Sequence, residues 1–125
     1  MTVIDTSAVL AILQGERGAD VAARHARGAL LSAVNLIEVR SKVFDAGADV
    51  DAAARMLERL EIVTVPFTPD EAHIAADLWP LTKGKNISLA DRACLATAIA
   101  RGGTLVTADG DWAALDIDID YLFIR

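Results

Sequence analysis

Residues 1–15 read MTVIDTSAVLAILQG, and this stretch decides the fold because it joins an apolar strand to a helix through one carboxylate. The letters TVID predict a short buried strand, and TSAVLAILQ predicts a helix that ends at Gly15. Asp5 stands at the junction, where its side chain is able to cap the helix. Thr6 and Ser7 are equally able to cap it, so Asp5 is a candidate for a second role.

The rest of the chain repeats this alternation of short strands and helices. Strands are predicted at 62–67, 104–107 and 117–124, and helices over about 19–27, 33–46, 49–61, 68–84 and 88–103. The helix from Thr68 has the strongest start signal, because Pro69 takes its first position and Glu71 completes a capping box. The pattern predicts an α/β fold, a three-layer α/β/α sandwich with a mainly parallel central sheet, as a single domain over residues 1–125.

The composition limits the possible functions. The chain has 125 residues, 54% of them apolar, and a net charge of −6, which argues against phosphate binding by basic residues alone. Its single cysteine, Cys94, cannot form an internal disulfide and predicts a reducing compartment. The start of the chain has no basic region and its apolar run is interrupted by Asp5, so we expect a soluble, cytoplasmic protein with no membrane segment.

Four acids stand near predicted strand ends or helix starts: Asp5, Glu38, Asp91 and Asp109. Each has a structural alternative. Asp5 is a possible helix cap, Asp91 a possible capping-box partner of Ser88, and Asp109 part of a turn in which Asp111 caps a short helix. Glu38 is a possible capping-box partner of Asn35 or an ion-pair partner of Lys42.

Taken together, the four acids predict a shared site and not only four separate helix caps. In parallel sheets, the carboxyl ends of the strands meet at one edge, and ligands bind there. Asp91 shares a helix face with Cys94 and Leu95, and a carboxylate on an apolar face needs partners or a cation. Oxygen ligands suit Mg²⁺ or Mn²⁺ better than zinc, and such an ion can activate a water and stabilise a leaving oxygen. The reaction this predicts is phosphodiester hydrolysis.

The blocks VIDTSAVLAIL, SAVNLIEV, SLADRACLATA and LVTADGDW occur in this order over nearly the whole chain. In this order and spacing they resemble the PIN-domain ribonucleases, and among them the VapC toxins of type II toxin–antitoxin pairs. The resemblance implies a PIN-like sandwich, an endoribonuclease that uses one or two Mg²⁺ or Mn²⁺ ions, and a homodimer inhibited by a VapB-type antitoxin.

The resemblance also assigns residues. It places the family's catalytic and metal-binding acids at Asp5, Glu38, Asp91 and Asp109, which would hold the ion that activates water to attack RNA. Ser7 matches the hydroxyl that supports the first acid. We expect further support from Thr6, Thr107 and Asp111, and it stays open whether Asp109 or Asp111 faces the metal.

Several secondary expectations concern partners. Lys83, Lys85 and Arg92 are near Asp91 and are candidates to hold the RNA backbone, although a solvated loop explains them equally well. The second helix with Val43 and Phe44 is a candidate groove for an antitoxin helix. Both tryptophans, Trp79 and Trp112, are expected to be packing residues, and His25 a surface residue.

Three alternatives to the toxin interpretation remain. One is a PIN nuclease that processes RNA without an antitoxin. The second is a PIN-fold binding module without catalysis, which four intact acids argue against. The third is a receiver-like domain that accepts a phosphoryl group, but such a domain needs a late lysine and none follows Lys85.

Overall fold

A parallel sheet of five short strands forms the centre of the computed structural model, which describes residues 1–125. The strands are β1 (Thr2–Ile4), β2 (Leu30–Ser32), β3 (Val63–Val65), β4 (Thr104–Thr107) and β5 (Tyr121–Phe123). The helices are α1 (Thr6–Gln14), α2 (Ala19–Arg24), α3 (Ala33–Asp45), α4 (Val50–Arg59), α5 (Pro69–Asp77), α6 (Trp79–Thr82) and α7 (Leu89–Arg101), and a 3₁₀ turn spans Gly110–Ala114. No helix is long and apolar enough to cross a membrane.

The two faces of the sheet build two separate cores because successive strand residues point in opposite directions. Ile4 and Val106 face a core formed with α1, α2, α3 and α4. Val3 and Leu105 face the other core, where they pack with α7, the end of α5 and the buried Trp112. This arrangement confirms the predicted α/β/α sandwich, and all strand pairs in it are parallel.

The strand order β3-β2-β1-β4-β5 places a reversal between β1 and β4. The chain leaves β1 towards β2 and β3 on one side and then returns to β4 on the other side. Connections therefore diverge above the carboxyl ends of β1 and β4, which leaves a crevice of the kind that binds ligands in open α/β sheets. Asp5 follows β1 directly, and Asp109 follows β4 by two residues.

The boundaries differ from the predicted ones in four places. Strand β2 was not predicted, because its three residues run directly into α3 and give no alternation to detect. Helix α2 ends at Arg24 rather than near residue 27. The predicted helix 68–84 is two helices, since Leu78 separates α5 from α6 and Pro80 cannot continue the hydrogen-bond ladder of α5. The last strand spans only three residues of the predicted 117–124.

The C-terminal residues are held against the start of α2 by a close backbone contact. Gly18 has φ +91°, and a Cβ added there would lie 2.5 Å from the carbonyl oxygen of Ile124. The neighbouring Arg125 donates a hydrogen bond of 2.9 Å from its Nη1 to the carbonyl oxygen of Arg17. Gly18 therefore fixes where the last residue of the chain lies.

We expect Gly18→Ala to lower the free energy of unfolding more than Gly28→Ala does. Both glycines have positive φ, so both substitutions carry left-handed strain, but a Cβ at Gly28 would meet no atom within 4 Å. The additional steric clash at Gly18 is expected to cost about 1–3 kcal/mol. Urea denaturation of the two variants measures this difference, and equal destabilisation would contradict the close contact.

Candidate metal centre

A cleft of about 700 Å³ opens at the carboxyl edge of the sheet, beside β1 and β4. All four acids singled out in the sequence line it: Asp5, Glu38, Asp91 and Asp109. They come from four different parts of the chain, the end of β1, the middle of α3, the first turn of α7 and the loop after β4. The fold therefore brings together carboxylates that are up to about a hundred positions apart in the sequence.

Asp5 is the deepest of these acids, with 2% of its surface exposed. Its Oδ2 accepts hydrogen bonds from the Ser7 hydroxyl at 2.6 Å, from the Thr107 hydroxyl at 3.0 Å and from the Ser7 backbone N–H at 3.3 Å. Its Oδ1 is buried and has no hydrogen-bond partner. The carboxylate therefore has one oxygen fixed by protein and one without a partner.

Burial raises the pKa of Asp5 to about 6, because a charged carboxylate loses the solvation of water. The hydrogen bonds from Ser7 and Thr107 act in the opposite direction, and the nearby charge of Asp91 raises the pKa further. A cation beside Oδ1 would remove the cost of this buried charge.

Asp91 has both of the roles considered for it from the sequence, helix capping and a place at the site. It completes the capping box of α7, accepting a 2.9 Å hydrogen bond at Oδ2 from the Ser88 N–H, and it also lines the cleft. Partial burial raises its pKa, the Ser88 hydrogen bonds lower it, and the charges of Glu38 and Asp109 raise it. The acids therefore influence one another electrostatically across the cleft.

The structural alternatives proposed for Glu38 are absent. Helix α3 is capped by Ser32, whose hydroxyl accepts from the N–H of Val34, so Asn35 is not the cap. Glu38 makes no ion pair with Lys42, since the ion pairs of this structure involve other residues. Its half-buried carboxylate lines the cleft without a hydrogen-bonding partner.

The two late acids have different positions. Asp109 lines the cleft, and its Oδ1 caps the 3₁₀ turn by accepting from the N–H of Asp111 at 3.1 Å. Asp111 is exposed and lies outside the cleft lining. The expectation that Asp111 caps this turn was wrong, because Asp109 precedes the turn directly and takes the capping position.

The expected supporting hydroxyls also differ from one another. Ser7 and Thr107 bind Asp5 directly, and the Ser7 hydroxyl also accepts from the backbone N–H of Ala108 at 2.9 Å. Thr6 does not touch the carboxylate. Its hydroxyl instead donates to the backbone carbonyl of Asn35 at 3.4 Å and accepts from the Asn35 side chain at 3.2 Å.

Sequence reasoning missed the role of Asn35. This residue is fully buried, and its Nδ2 donates to the Thr6 hydroxyl and to the backbone carbonyl of Ala90, both at 3.2 Å. It therefore ties α3 to α1 and α7, the helices next to Asp5 and Asp91. A polar residue at a core position of an apolar helix was the available signal for such a role.

The donor set fits a hard divalent cation. The lining acids offer only oxygen ligands, Asp5 Oδ1 is buried without a partner, and no histidine lines the cleft. No three His, Cys, Asp or Glu side chains stand close enough together to ligate one ion as they are placed. Ligation therefore requires movement of the half-exposed acids, and Glu38 has no hydrogen bond or ion pair to hold it back.

Basic side chains border the same cleft. Lys42, Lys85 and Arg125 line it, whereas Lys83 and Arg92 do not. The guanidinium of Arg92 instead lies over the ring of Trp79.

Trp79 was expected to be a packing residue, but 48% of its surface is exposed and it lines the cleft. Trp112 is buried and His25 is exposed, as expected.

The fold and the site together define a class of protein, a parallel α/β sandwich with a cleft at its topological switch point that is lined by acids, among them the four predicted ones. Within that class, the chain belongs to the PIN-domain family, whose profile matches residues 2–118. Among proteins of curated function, none is significantly similar in sequence to this chain.

Several solved structures share the fold over 91–100% of this chain. A toxin–antitoxin complex from Klebsiella pneumoniae is 20% identical with a TM-score of 0.77, covering 100% of this chain and 98% of its own. FitAcB from Neisseria gonorrhoeae is 26% identical with a TM-score of 0.67 and coverage of 99% and 98%. VapC20 from Mycobacterium tuberculosis, described as a sarcin–ricin loop cleaving toxin, is 20% identical with a TM-score of 0.73 and coverage of 91% and 94%.

The raised pKa of Asp5 predicts that the free energy of unfolding depends on pH in protein that has been stripped of metal with a chelator. The carboxyl has its ordinary pKa of 3.8 when unfolded and a pKa of about 6 when folded. Between these values the native state binds more protons than the unfolded state, so this group lowers the free energy of unfolding as the pH rises. The full cost, on the order of 3 kcal/mol, is reached above pH 6.

Asp5→Asn removes this titration. We therefore expect the stability of Asp5→Asn relative to the wild type to increase by on the order of 3 kcal/mol between pH 4 and pH 7. Urea denaturation at several pH values measures the difference, with the exposed Asp111→Asn as the matched control. A difference that stays constant with pH would show that Asp5 does not titrate in this range.

Proposed function

We propose that this chain is a Mg²⁺- or Mn²⁺-dependent endoribonuclease and the toxin of a VapBC-type toxin–antitoxin pair. The observation that carries the proposal is that the fold brings the four predicted acids to one cleft, in which Oδ1 of Asp5 is buried without a hydrogen-bond partner. The likeness to the structures of VapC20 and FitAcB supports the toxin role, and VapC20 is described as a sarcin–ricin loop cleaving toxin.

We propose that Asp5 and Asp91 hold the ion together with Glu38 or Asp109, directly or through water. When bound, such an ion supplies a Lewis acid that activates water and neutralises charge on the phosphate. Asp5 contributes a carboxylate whose free oxygen is fixed in direction by the Ser7 and Thr107 bonds to its other oxygen. Rigid support of this kind is what a metal ligand needs to hold an ion in a reactive geometry.

Lys42, Lys85 and Arg125 are proposed to contact the phosphates that flank the scissile bond. These three cations line the cleft that the acids occupy. A chain with a net charge of −6 repels RNA at long range, so local cations at the cleft are needed for an approach to the site. Lys83 and Arg92 stand outside the lining and are less suited to this role.

The proposal is tested with protein purified without any partner, stripped of metal with a chelator, and assayed on single-stranded and structured RNAs with and without Mg²⁺ or Mn²⁺. We expect cleavage only with added metal. Absence of metal-dependent cleavage of every RNA by correctly folded protein would favour the alternative of a silent PIN-fold binding module.

The pair Asp109 and Asp111 provides a matched test of the site. We expect Asp5→Asn, Asp91→Asn and Asp109→Asn each to reduce cleavage by more than about 100-fold. Loss of a group that only supports a metal ligand reduces activity by about 10- to 100-fold, so a larger loss indicates a ligand. Asp111→Asn, which removes an equal charge two residues away and outside the cleft, is expected to retain wild-type activity. The measurement is kcat on one RNA at saturating metal. Equal loss in both late variants would contradict the assignment of Asp109.

Metal binding has a second readout that does not depend on cleavage. A ligand that binds only the native state raises the melting temperature. We therefore expect Mg²⁺ or Mn²⁺ to raise the melting temperature of the wild type and of Asp111→Asn, and to have much less effect on Asp91→Asn.

A groove next to the cleft supports the proposal of an antitoxin. It has a volume of about 240 Å³ and is lined mainly by apolar residues of α1, α3 and α4, among them Leu13, Val43, Ala53 and Met56. Gln14 lines both this groove and the cleft, so a helix docked in the groove would lie beside the acids. Helix α2 and Phe44, which were expected to contribute, are not part of its lining.

We expect Met56→Glu to abolish co-purification with the small DNA-binding protein that an adjacent gene would encode, and to leave cleavage of RNA unchanged. The charge would enter an apolar groove, where burial without a partner is costly. Ile99→Glu is the matched control, since Ile99 on α7 is 37% exposed and Met56 is 38% exposed. If Met56→Glu still co-purifies, the groove is not the antitoxin site. If no partner exists, the RNA-processing alternative is favoured.

The expected homodimer is also a proposal. Exposed apolar side chains such as Ile37 and Leu89, 66% and 71% exposed, are suited to contact a second copy. Analytical ultracentrifugation of the purified chain tests this state. Localisation in the cytoplasm and the extent of the domain over residues 1–125 likewise remain predictions from the sequence.

A further inference from the structure

Trp79 is an exposed aromatic residue at the rim of the acidic cleft. It begins α6, has 48% of its surface exposed and lines the cleft together with the acids. The only other tryptophan, Trp112, has 1% of its surface exposed. An indole that stays half exposed beside a charged cleft carries apolar surface that folding did not bury.

Arg92 fixes the orientation of this ring. Its guanidinium carbon lies 5.1 Å from the centroid of the Trp79 ring, and its Nη1 donates a 3.1 Å hydrogen bond to the carbonyl oxygen of Ala75. One face of the indole is therefore covered by a cation that is itself tied to α5. Because 48% of the surface of Trp79 is still exposed, the guanidinium does not close off this residue from solvent.

The loop after α6 adds polar groups beside the same ring. Lys85 and Asn86 line the cleft with Trp79, and Asn86 has a positive φ of 53° that belongs to the tight turn of this loop. An aromatic plane, a lysine and an amide thus border the cleft that the acids line. Binding surfaces for unpaired nucleotides combine these elements, since cations contact the backbone and aromatic rings stack on bases.

We propose that Trp79 stacks on an unpaired nucleobase of the RNA next to the bond that is cleaved, and thereby selects single-stranded or loop RNA over duplex. This inference rests on the proposed nuclease function and adds a specificity-determining residue to it. In duplex RNA the faces of the bases are covered by their neighbours, so a ring at the cleft rim has nothing to stack on. Arg92 acts as a positioning residue that holds the indole.

Intrinsic fluorescence tests the stacking without any cleavage. AMP and ribose 5-phosphate carry the same phosphate and sugar, but only AMP has a base, and neither contains a phosphodiester bond. In the presence of Mg²⁺, we expect AMP to quench the exposed Trp79 and ribose 5-phosphate to leave the emission unchanged. The Trp79→Phe variant retains only Trp112, which also lines the cleft but is 1% exposed, so its emission should respond to AMP much less than that of the wild type.

Kinetics on RNA provide the second readout. Stacking on an aromatic residue contributes about 1–3 kcal/mol per base, which corresponds to about 5- to 140-fold in affinity. We expect Trp79→Ala to raise KM for a single-stranded RNA by a factor in this range with a smaller change in kcat. Trp79→Phe should restore a large part of the loss, because a phenyl ring also stacks.

Leu81→Ala is the matched control. Leu81 belongs to the same short helix, is 38% exposed and does not line the cleft, so its loss should leave KM unchanged. Melting temperatures of all variants identify any that fail to fold. If Trp79→Ala and Leu81→Ala raise KM equally, or if AMP quenches no more than ribose 5-phosphate does, the stacking proposal is wrong.

The outcomes separate this proposal from the proposed function. If the protein cleaves no RNA but AMP still quenches Trp79, the base-binding face stands and the nuclease assignment fails. If cleavage is normal in Trp79→Ala and the variant instead loses self-association or antitoxin binding, Trp79 belongs to a protein interface and the stacking proposal is overturned.

Discussion

Asp5 is an ionisable side chain at 2% exposure, placed at the end of the central strand, and the cleft is organised around it. A buried charge must be compensated, and here two hydroxyls from different parts of the chain, Ser7 and Thr107, bind one of its oxygens. The other oxygen has no partner. Thr107 at the end of β4 reaches the carboxylate after β1 only because these two strands pair in the observed register. The hydrogen bonds of the buried Asp5 therefore depend on the sheet.

Capping and cleft lining are two uses of the same carboxylates in this protein. Asp5, Asp91 and Asp109 each cap a helix or turn with one oxygen, Oδ2 in the first two and Oδ1 in the third. Each leaves its second oxygen free of hydrogen bonds to protein. The cap fixes the direction of the carboxylate, because an oxygen bound to a backbone N–H cannot rotate freely. A structural role and a role at the site thus support one another here.

The cleft of this acidic chain carries charges of both signs. Acidic side chains line the cleft, and Lys42, Lys85 and Arg125 line the same cleft. Burial is the largest cause of the raised pKa of both Asp5 and Asp91, and a bound cation would offset this cost of burying their charges. The same burial, with the charges of Asp5 and Asp91, raises the pKa of the Cys94 thiol behind the site well above its usual range.

The sequence by itself determined the alternation of strands and helices and the sandwich, because apolar periodicity and caps are local properties that three to five neighbouring residues encode. It also singled out four acids that the fold brings to one cleft. It did not reveal β2, whose three residues are too few to show a period, nor the break between α5 and α6. It also left Asp109 and Asp111 undistinguished.

Only the tertiary structure decided those questions. Which oxygen of Asp5 is free depends on Thr107, 102 positions away in the chain, and which late acid lines the cleft depends on how the 3₁₀ turn packs. The guanidinium that lies over the Trp79 ring comes from Arg92, a residue of another helix. Contacts between distant segments carry no local signal in one sequence, and so the partners of each side chain became known only when the sheet had brought its strand ends together.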